Sequence, residues 1–304
     1  MKLSFTTLDV FTTTRYTGNP VAIIQVPTPH STTLTQKQKQ SIASEFNLSE
    51  IVFLHLPPSG ANPPERKIDI FTSQAEVPFA GHPTIGTAFY LLSTTSQPVS
   101  TLITKAGPIP ISLSPTTGEV SAEIPHNFHV HSKTYSSPLN EQQNPVASIV
   151  KGMSFIYVQL PDLEMLAQAK ENLNVREFGT TYDAEALDEG WKEGLVGTMY
   201  FVERGVDAWG RKRFRTRMWG SREDPGTGSA SSGLGCWLAA LEAKGKGGNG
   251  KWAFVFEQGV EMGRRNEIVV EVEGREEENG EGFEVAKVVL SGKAVKVMEG
   301  TLEI

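Results

Sequence analysis

Two stretches of the chain share one pattern: Gly81-His82-Pro83-Thr84-Ile85-Gly86-Thr87-Ala88 and Glu223-Asp224-Pro225-Gly226-Thr227-Gly228-Ser229-Ala230. Aligning His82 with Asp224 (224 − 82 = 142) also aligns a proline, a glycine, a hydroxyl residue and an alanine. Both stretches continue into apolar sequence typical of a helix. The repeat predicts two related halves, each directing the N-terminus of a helix at a shared cleft.

Each copy has the composition of a helix start. Proline is favoured at the first helical position, which predicts His82 and Asp224 at the two N-caps. Aspartate is a preferred cap and histidine is not, so His82 has the weaker purely structural reason to be there. The alternative is a plain capped helix start for Asp224 and a hydrogen-bonded polar side chain for His82.

The glycines and hydroxyls of the repeat suggest a small binding pocket. Gly86 and Gly228 each cost about 1 kcal/mol inside a helix relative to alanine, which is tolerable where another group must approach the backbone. Thr87 and Ser229 offer hydroxyls beside helix amides, which together suit a carboxylate. Gly81 completes the set of candidate substrate-binding residues.

Composition limits the class of protein. The chain has 304 residues, of which 38% are hydrophobic and 21% charged, enough for two medium cores. A net charge of −7 argues against a general nucleic-acid binder. We expect no membrane span, no signal peptide and a cytoplasmic location. The single cysteine, Cys236, excludes an intramolecular disulfide and any mechanism that needs two thiols.

The order of predicted elements supports two lobes. Each half has strands, an apolar helix and further strands, which predicts an α+β fold with several strands around one central helix per lobe. We place the first lobe at residues 1–130, a polar linker at 131–147 and the second lobe at 148–304. The final strand, about residues 293–304, is a candidate to pack back on the first lobe.

Glu50 is the candidate general acid/base. In a strand over Glu50 to Leu56, its carboxylate shares a face with Val52 and Leu54 and lies at the edge of an apolar surface. Such a position disfavours the charged carboxylate and so raises its pKa toward neutral pH. A group that exchanges protons near neutral pH requires such a pKa. The alternative is a glutamate at a strand end that reaches solvent.

Four blocks in this order resemble the phenazine-biosynthesis isomerase (PhzF-like) family. The blocks are Gly18-Asn19-Pro20-Val21-Ala22, Asn47-Leu48-Ser49-Glu50, Phe79-Ala80-Gly81-His82-Pro83-Thr84 and Glu223-Asp224-Pro225-Gly226-Thr227-Gly228-Ser229-Ala230. The resemblance spans nearly the whole chain. It implies the diaminopimelate-epimerase type of fold, with two pseudo-symmetric lobes, each a curved, mostly antiparallel sheet or barrel around a central helix. It also implies a homodimer and no cofactor.

The same resemblance implies roles for individual residues. Glu50 matches the glutamate that moves a proton between carbons of dihydro-3-hydroxyanthranilate. His82 and Asp224 match groups that hold and polarise that substrate, and Ser229 matches a contact to its carboxylate. Two departures lie near these residues: Gly226 stands where the family often has alanine, and the segment from Gln258 to Asn266 lacks the Pro-Ser that commonly follows its first arginine.

Two other sequence patterns are interpreted without assigning a functional site to them. The histidines other than His82 form no spaced ligand set with Cys236, so we expect no metal; they are His30, His55, His126, His129 and His131. His129 and His131 flank Val130 and are interpreted as surface residues. Arg211, Arg213, Arg215 and Arg217 alternate, which gives a strand one basic face that is solvated or faces a dimer partner.

Three functions stay open at this point. The first is a cofactor-independent isomerase that uses Glu50, His82 and Asp224 on a small cyclic or unsaturated carboxylic acid. The second is an amino-acid racemase or epimerase of the same fold, which is disfavoured because the thiol pair is missing. The third is a catalytically silent dimeric protein that binds a ligand or another protein.

Overall fold

The structure is a computed structural model that describes residues 2–174, 184–185, 187–244, 248–276 and 283–304. It divides into two units. The first contains the chain up to Glu123 together with Ser291–Ile304, and the second is Ile124–Leu290. Among the described residues, no helix has the length and apolar character needed to cross a membrane.

The first unit contains eight strands from the N-terminal part of the chain, two α-helices, a 3-10 helix (Thr28–His30), a π-helix (Tyr90–Thr94) and the last strand. In chain order its elements are β1 (Lys2–Val10), β2 (Asn19–Val26), α1 (Gln36–Phe46), β3 (Ile51–His55), β4 (Glu65–Phe71), β5 (Glu76–Val77), α2 (Gly81–Phe89), β6 (Thr101–Thr104), β7 (Gly107–Leu113) and β8 (Val120–Glu123). The last strand of the chain, β18 (Ala294–Glu303), pairs with β1 along its whole length.

Pairing in the first unit follows the order β18-β1-β2-β3-β4-β6-β7-β8, with β5 beside β4. The β2–β3 and β4–β6 pairs are parallel and the others are antiparallel. Helix α2 packs against strands from both ends of this order, including β18, β1, β7 and β8. The sheet therefore curves around α2, which lies at the centre of the unit.

The second unit repeats this arrangement. Its elements are β9 (His129–Ser136), β10 (Gln143–Val150), β11 (Gly152–Gln159), α3 (Leu163–Gln168), β12 (Gly194–Val206), β13 (Lys212–Trp219), β14 (Glu223–Asp224), α4 (Gly228–Ala243), β15 (Gly250–Gln258), β16 (Asn266–Glu276) and β17 (Phe283–Gly292). Pairing follows β9-β10-β11-β12-β13-β15-β16, with parallel β11–β12 and β13–β15. Because the parallel pairs fall at the same places, the predicted α+β fold of two similar lobes around central helices is confirmed.

The two copies match in a different register from the one that the sequence motif predicts. In each unit a two-residue strand is followed by three residues and then the central helix, so α2 aligns with α4 at an offset of 147 (228 − 81 = 147). His82 is then equivalent to Ser229, and not to Asp224. The N-caps are Ala80 and Thr227, so the prediction that His82 and Asp224 are N-caps is wrong. Proline misled the alignment because Pro83 lies inside the first turn of α2, where N–H groups lack intrahelical partners, whereas Pro225 lies before the N-cap of α4.

Close packing of the central helices explains why the equivalent positions 86 and 233 are both glycine. A Cβ on Gly86 would lie 2.7 Å from Val21 Cγ1, and a Cβ on Gly233 would lie 2.3 Å from Tyr157 Oη. Val21 and Tyr157 lie on β2 and β11, which hold equivalent places in their units. Each helix therefore lies directly against its sheet because one residue has no side chain.

The predicted linker at residues 131–147 is wrong. Most of it forms β9 and β10, which pair antiparallel with a register irregularity between Pro145 and Ala147. Strand β9 is largely exposed, so its sequence is as polar as that of a linker.

Candidate active site

Glu50 is positioned by the end of α1. The helix begins with a capping box, in which Thr35 and Gln38 satisfy each other's backbone N–H. It ends at Phe46, and Asn47 adopts the left-handed conformation (φ 49°) while its N–H donates to the Ala43 carbonyl at 3.1 Å. Asparagine tolerates this conformation better than most residues, and it turns the chain toward Glu50 and β3.

The strand after Glu50 begins at Ile51, so Glu50 precedes β3 and does not belong to it. Val52, Phe53 and Leu54 are all fully buried, which means that both faces of β3 are covered. The predicted alternation of one apolar face is therefore wrong, because a strand buried on both sides carries apolar residues at every position.

Glu50 and His82 form a pair at the start of α2. Glu50 Oε2 lies 3.2 Å from His82 Nδ1, and their side chains are 17% and 2% exposed. His82 is the second residue of α2, so the positive end of the helix dipole lies beside the pair. A carboxyl group held against a buried imidazole in a nearly dry position can exchange a proton with a bound molecule.

Asp224 lies in the second unit, at the end of β14. Its Oδ2 accepts a hydrogen bond of 2.5 Å from the hydroxyl of Thr227, the N-cap of α4. Gln258, which is fully buried, donates through Nε2 to the Asp224 carbonyl at 2.7 Å and to Thr227 Oγ1 at 3.0 Å. The Thr227 N–H returns a bond to Gln258 Oε1 at 3.0 Å. The start of α4 is thus held by a closed set of polar contacts.

The two departures from the family pattern lie in contact with each other. Asn266 is fully buried and donates through Nδ2 to the carbonyls of Pro225 and Arg264, both at 2.6 Å. A Cβ on Gly226 would lie only 2.3 Å from Asn266 Oδ1. Asn266 therefore occupies the space that an alanine at position 226 would need, and glycine at 226 fits asparagine at 266.

The structure divides the remaining predicted binding residues into two groups. Gly81 and Gly228 are the first residues of α2 and α4, and Ser229, 2% exposed, is the second residue of α4. Thr87 instead donates its hydroxyl to the Pro83 carbonyl at 2.8 Å, deep in α2. Thr87 and Gly86 are therefore parts of the packed helix, and their assignment to a pocket beside helix amides is wrong because such amides occur only in the first turn.

Arg217 is a residue whose role sequence reasoning missed. Its Nε and Nη2 donate to the two carboxylate oxygens of Glu223 at 2.7 and 2.8 Å, and Nη1 donates to the carbonyls of Leu166 and Ala167 in α3. The two-point contact fixes Glu223, which is the neighbour of Asp224. The signal in the sequence was an arginine on a strand face, which does not by itself reveal its partner.

The other arginines of the predicted basic face have acidic neighbours as well. Arg211 pairs with Asp207 at 2.7 Å, and Arg215 pairs with Glu257 at 2.8 Å and with Glu261 at 3.2 Å. Arg213 lies 3.6 Å from the same Glu257. This face therefore carries its own counter-charges within the second unit.

Cys236 does not fit thiol chemistry. It is the ninth residue of α4 and fully buried, and burial raises the pKa of its thiol well above the ordinary value. Burial in an apolar helix disfavours the thiolate that a racemase needs. The N-cap positions of the two central helices, Ala80 and Thr227, hold no thiol either.

Comparison with known proteins agrees with this architecture. A sequence model described as phenazine biosynthesis-like protein (PhzC-PhzF) matches residues 8–300. An uncharacterized isomerase of Mesorhizobium japonicum is 29% identical over 318 residues, covering 97% of each chain. A trans-2,3-dihydro-3-hydroxyanthranilate isomerase of Pseudomonas fluorescens is 28% identical over 316 residues, covering 98% of this chain and 99% of the relative.

A solved structure shares the fold. The PhzF family protein of Bacillus anthracis aligns with a TM-score of 0.70 at 20% identity and covers 100% of both chains. The fold and the polar helix starts define a class of α+β proteins built from two repeats, each with strands around one helix. Within that class, the chain belongs to the phenazine biosynthesis-like (PhzF-like) family of isomerases.

Proposed function

We propose that this protein moves a proton between two carbons of a small cyclic or unsaturated carboxylic acid by general acid/base catalysis. The observation that carries the proposal is the Glu50–His82 pair, with 3.2 Å between Oε2 and Nδ1 and little solvent access. A single carboxyl group can serve both carbons, because it becomes protonated in the first step and is ready to donate in the second.

The reaction conserves atoms and electrons within the substrate. The Glu50 carboxylate accepts the proton from a carbon next to the unsaturated system, whose electrons shift along that system. The protonated Glu50 then donates the proton to a different carbon. His82 and the N-terminal end of α2 stabilise the negative charge that develops between the two steps, as fixed dipoles do in a water-poor site.

Asp224, Ser229 and the glycines Gly81 and Gly228 have binding roles in this proposal. Asp224 is held rigidly by Thr227 and Gln258, which suits a group that orients a substrate and does not exchange protons itself. Ser229 is the second residue of α4, where a hydroxyl and a helix N-terminus together suit a carboxylate.

The substrate to test first is trans-2,3-dihydro-3-hydroxyanthranilate, because relatives that match nearly the whole chain carry its name. The purified protein is incubated with this acid in D2O, and turnover is followed by absorbance and by NMR. We expect conversion with deuterium at the carbon that receives the proton. The Glu50→Gln variant is expected to lose conversion while it still binds the acid.

Glu45→Gln is the matched control, because Glu45 is exposed on α1, five residues before Glu50. Its turnover should equal that of the parent protein. Equal turnover in parent and Glu50→Gln would contradict the role of Glu50. Binding of the acid without turnover in the parent protein, across a panel of related unsaturated acids, would favour the alternative of a silent ligand-binding member of the family.

We also propose that the protein is a cytoplasmic homodimer that needs no cofactor. The family resemblance supports the dimer and the independence from cofactors, and the use of a single cysteine in 304 residues supports a reducing compartment. Sedimentation measures the mass of the assembly, and fractionation of the source cells measures the location. A protein that stays a monomer at the concentrations used for turnover would remove the dimer from this proposal.

A further inference from the structure

Two histidines of β9 and Asp188, which lies outside this strand, form a cluster to which the proposed function assigns no role. His129 Nε2 lies 2.8 Å from Asp188 Oδ2, and His131 Nδ1 lies 3.7 Å from the same oxygen. The histidines are two residues apart on one strand, so their side chains share a face. Three ligand atoms of the kinds that bind transition metals therefore lie within 4.8 Å of one another.

The orientation of each of these groups is fixed by a neighbour. The Asp188 N–H donates to His131 Nδ1 at 3.4 Å, a long contact that an ion bound at Nδ1 would displace, and Nε2–H then donates to Ser148 Oγ at 2.8 Å. Ser132 donates its N–H to the Asp188 carboxylate at 3.2 Å and its hydroxyl to Oδ1. Asp188 Oδ2 is thereby directed between the two imidazole rings. Histidines that bind metals are oriented in this way by hydrogen bonds from the other ring nitrogen.

The distances between the ligand atoms fit a tetrahedral ion. Bonds of about 2.0–2.2 Å place two ligand atoms of a tetrahedral zinc ion about 3.3 Å apart. The two separations from Asp188 Oδ2, 2.8 and 3.7 Å, lie on either side of this value. All three ligand atoms lie within 4.8 Å of one another, so they would draw closer together around an ion.

We propose that His129, His131 and Asp188 form a binding site for one divalent transition-metal ion, of which Zn2+ is the probe. Three protein ligands leave the fourth position to water. The side chains of His129 and Asp188 are 34% and 25% exposed, so an ion can enter from solvent, whereas His131 is fully buried. The ion joins β9 to the segment that carries Asp188 and Trp191, and Trp191 stacks on His129 with ring centroids 4.7 Å apart.

The test measures binding and not turnover, so its failure is separate from failure of the proposed isomerase. Tag-free protein is dialysed against a chelator and titrated with ZnCl2 by calorimetry. We expect one equivalent of Zn2+ per chain and a rise in the melting temperature when Zn2+ is added. Co2+ in place of Zn2+ should give the visible absorption of a tetrahedral site.

Two variants and one control make the result specific. His129→Ala and Asp188→Asn remove partly exposed ligands, and each should weaken Zn2+ binding by at least about 10-fold. His30→Ala, which removes a histidine of the first unit outside the cluster, should bind Zn2+ like the parent protein. Parent protein with a Kd weaker than about 1 mM, or equal binding by parent and both ligand variants, would overturn the proposal.

Discussion

The starts of the two central helices hold equivalent places in their units but are built from different chemistry. Helix α2 begins after an apolar N-cap, Ala80, and its second residue is His82, paired with Glu50. Helix α4 begins after a polar N-cap, Thr227, which is bonded to Asp224 and Gln258. The first start carries an ionisable pair at its second helical position, whereas the second carries a hydroxyl, Ser229, there.

Under the proposed function, this difference leads us to expect different tasks for the two repeats. The carboxylate of Asp224 already has a short hydrogen bond from Thr227, and its backbone is held by Gln258, so it is fixed in one position. Glu50 meets an imidazole, which can take part in a proton exchange. The comparison therefore predicts that the first unit performs the chemistry and the second unit orients the substrate.

The largest expected effect separates the two tasks by kinetics. Glu50→Gln should lower kcat by about 10²–10⁴-fold with little change in KM, because a general acid/base acts in the chemical step. Asp224→Asn should mainly raise KM, because the amide keeps an acceptor for Thr227 but loses the charge that orients a bound molecule. Both variants should melt like the parent. Equal losses of kcat in the two variants would remove the distinction between the units.

A second comparison concerns how each unit anchors the helix that connects two paired parallel strands, α1 between β2 and β3 and α3 between β11 and β12. In the first unit Lys39 of α1 bonds to Asp69 of β4 at 2.5 Å, and both side chains are under 10% exposed. In the second unit Arg217 of β13 binds carbonyls of α3 together with Glu223. Equivalent strands thus hold the helix by an anion in one unit and by a cation in the other.

Lys39→Met should be among the most destabilising substitutions in the first unit. It leaves the Asp69 carboxylate buried with His55 as its remaining close partner, and breaking a buried ion pair costs about 3 kcal/mol or more. Lys37→Met is the control, because Lys37 lies exposed on the same helix and should change stability by less than about 0.5 kcal/mol. Urea unfolding measures both. A loss below 1 kcal/mol for Lys39→Met would show that solvent reaches this pair.

Local patterns predicted much of this architecture, and contacts between distant residues account for the errors. The capping box of Thr35 and Gln38 lies within one turn, so the sequence alone contains all of its partners. The repeat of the two halves was predicted, but the alignment of its two copies was wrong by five residues. Proline and glycine matched at positions that have different structural roles in the two copies. The polar strands β9 and β10 were missed, because their pairing with each other, and not their composition, makes them strands.

In the candidate site too, sequence motifs identified single residues, whereas contacts between residues emerged only from the structure. Glu50, His82 and Asp224 were chosen from motifs, and the structure then supplied the contact between the first two. The sequence does not show the two-point contact between Arg217 and Glu223. It does not show the contact between His129 and Asp188 either, because these residues are 59 positions apart. These side chains come into contact only because the fold brings them together.

The central glycines offer a test of whether the two helices are seated in the same way. Gly86→Ala and Gly233→Ala should each cost about 1–3 kcal/mol, since the added Cβ overlaps Val21 or Tyr157. Tyr157→Phe removes the hydroxyl that lies 2.3 Å from the new Cβ, so it should restore most of the stability lost in Gly233→Ala. The same Tyr157→Phe change should not rescue Gly86→Ala, which serves as the control. A double-mutant cycle on denaturant unfolding gives the coupling.

The smallest expected effect is acid sensitivity that belongs to the first unit's anchor. Burial alone would raise the pKa of Asp69, but hydrogen bonds from His55 and Lys39, together with their charges, outweigh it and lower the pKa to about 2. Because this pKa is below that of an unfolded aspartate, about 3.9, the contribution of the carboxylate is complete above pH 4 and disappears as the pH falls toward 2. The shift corresponds to about 1–2 kcal/mol after allowance for partial solvent screening. The difference in unfolding free energy between the parent and Asp69→Asn should therefore stay constant from pH 7 to pH 5 and shrink below pH 4. A difference that stays constant down to pH 2 would mean that Lys39 and His55 do not hold Asp69 as a carboxylate. The first unit would then have no anionic anchor to contrast with the cationic anchor of the second.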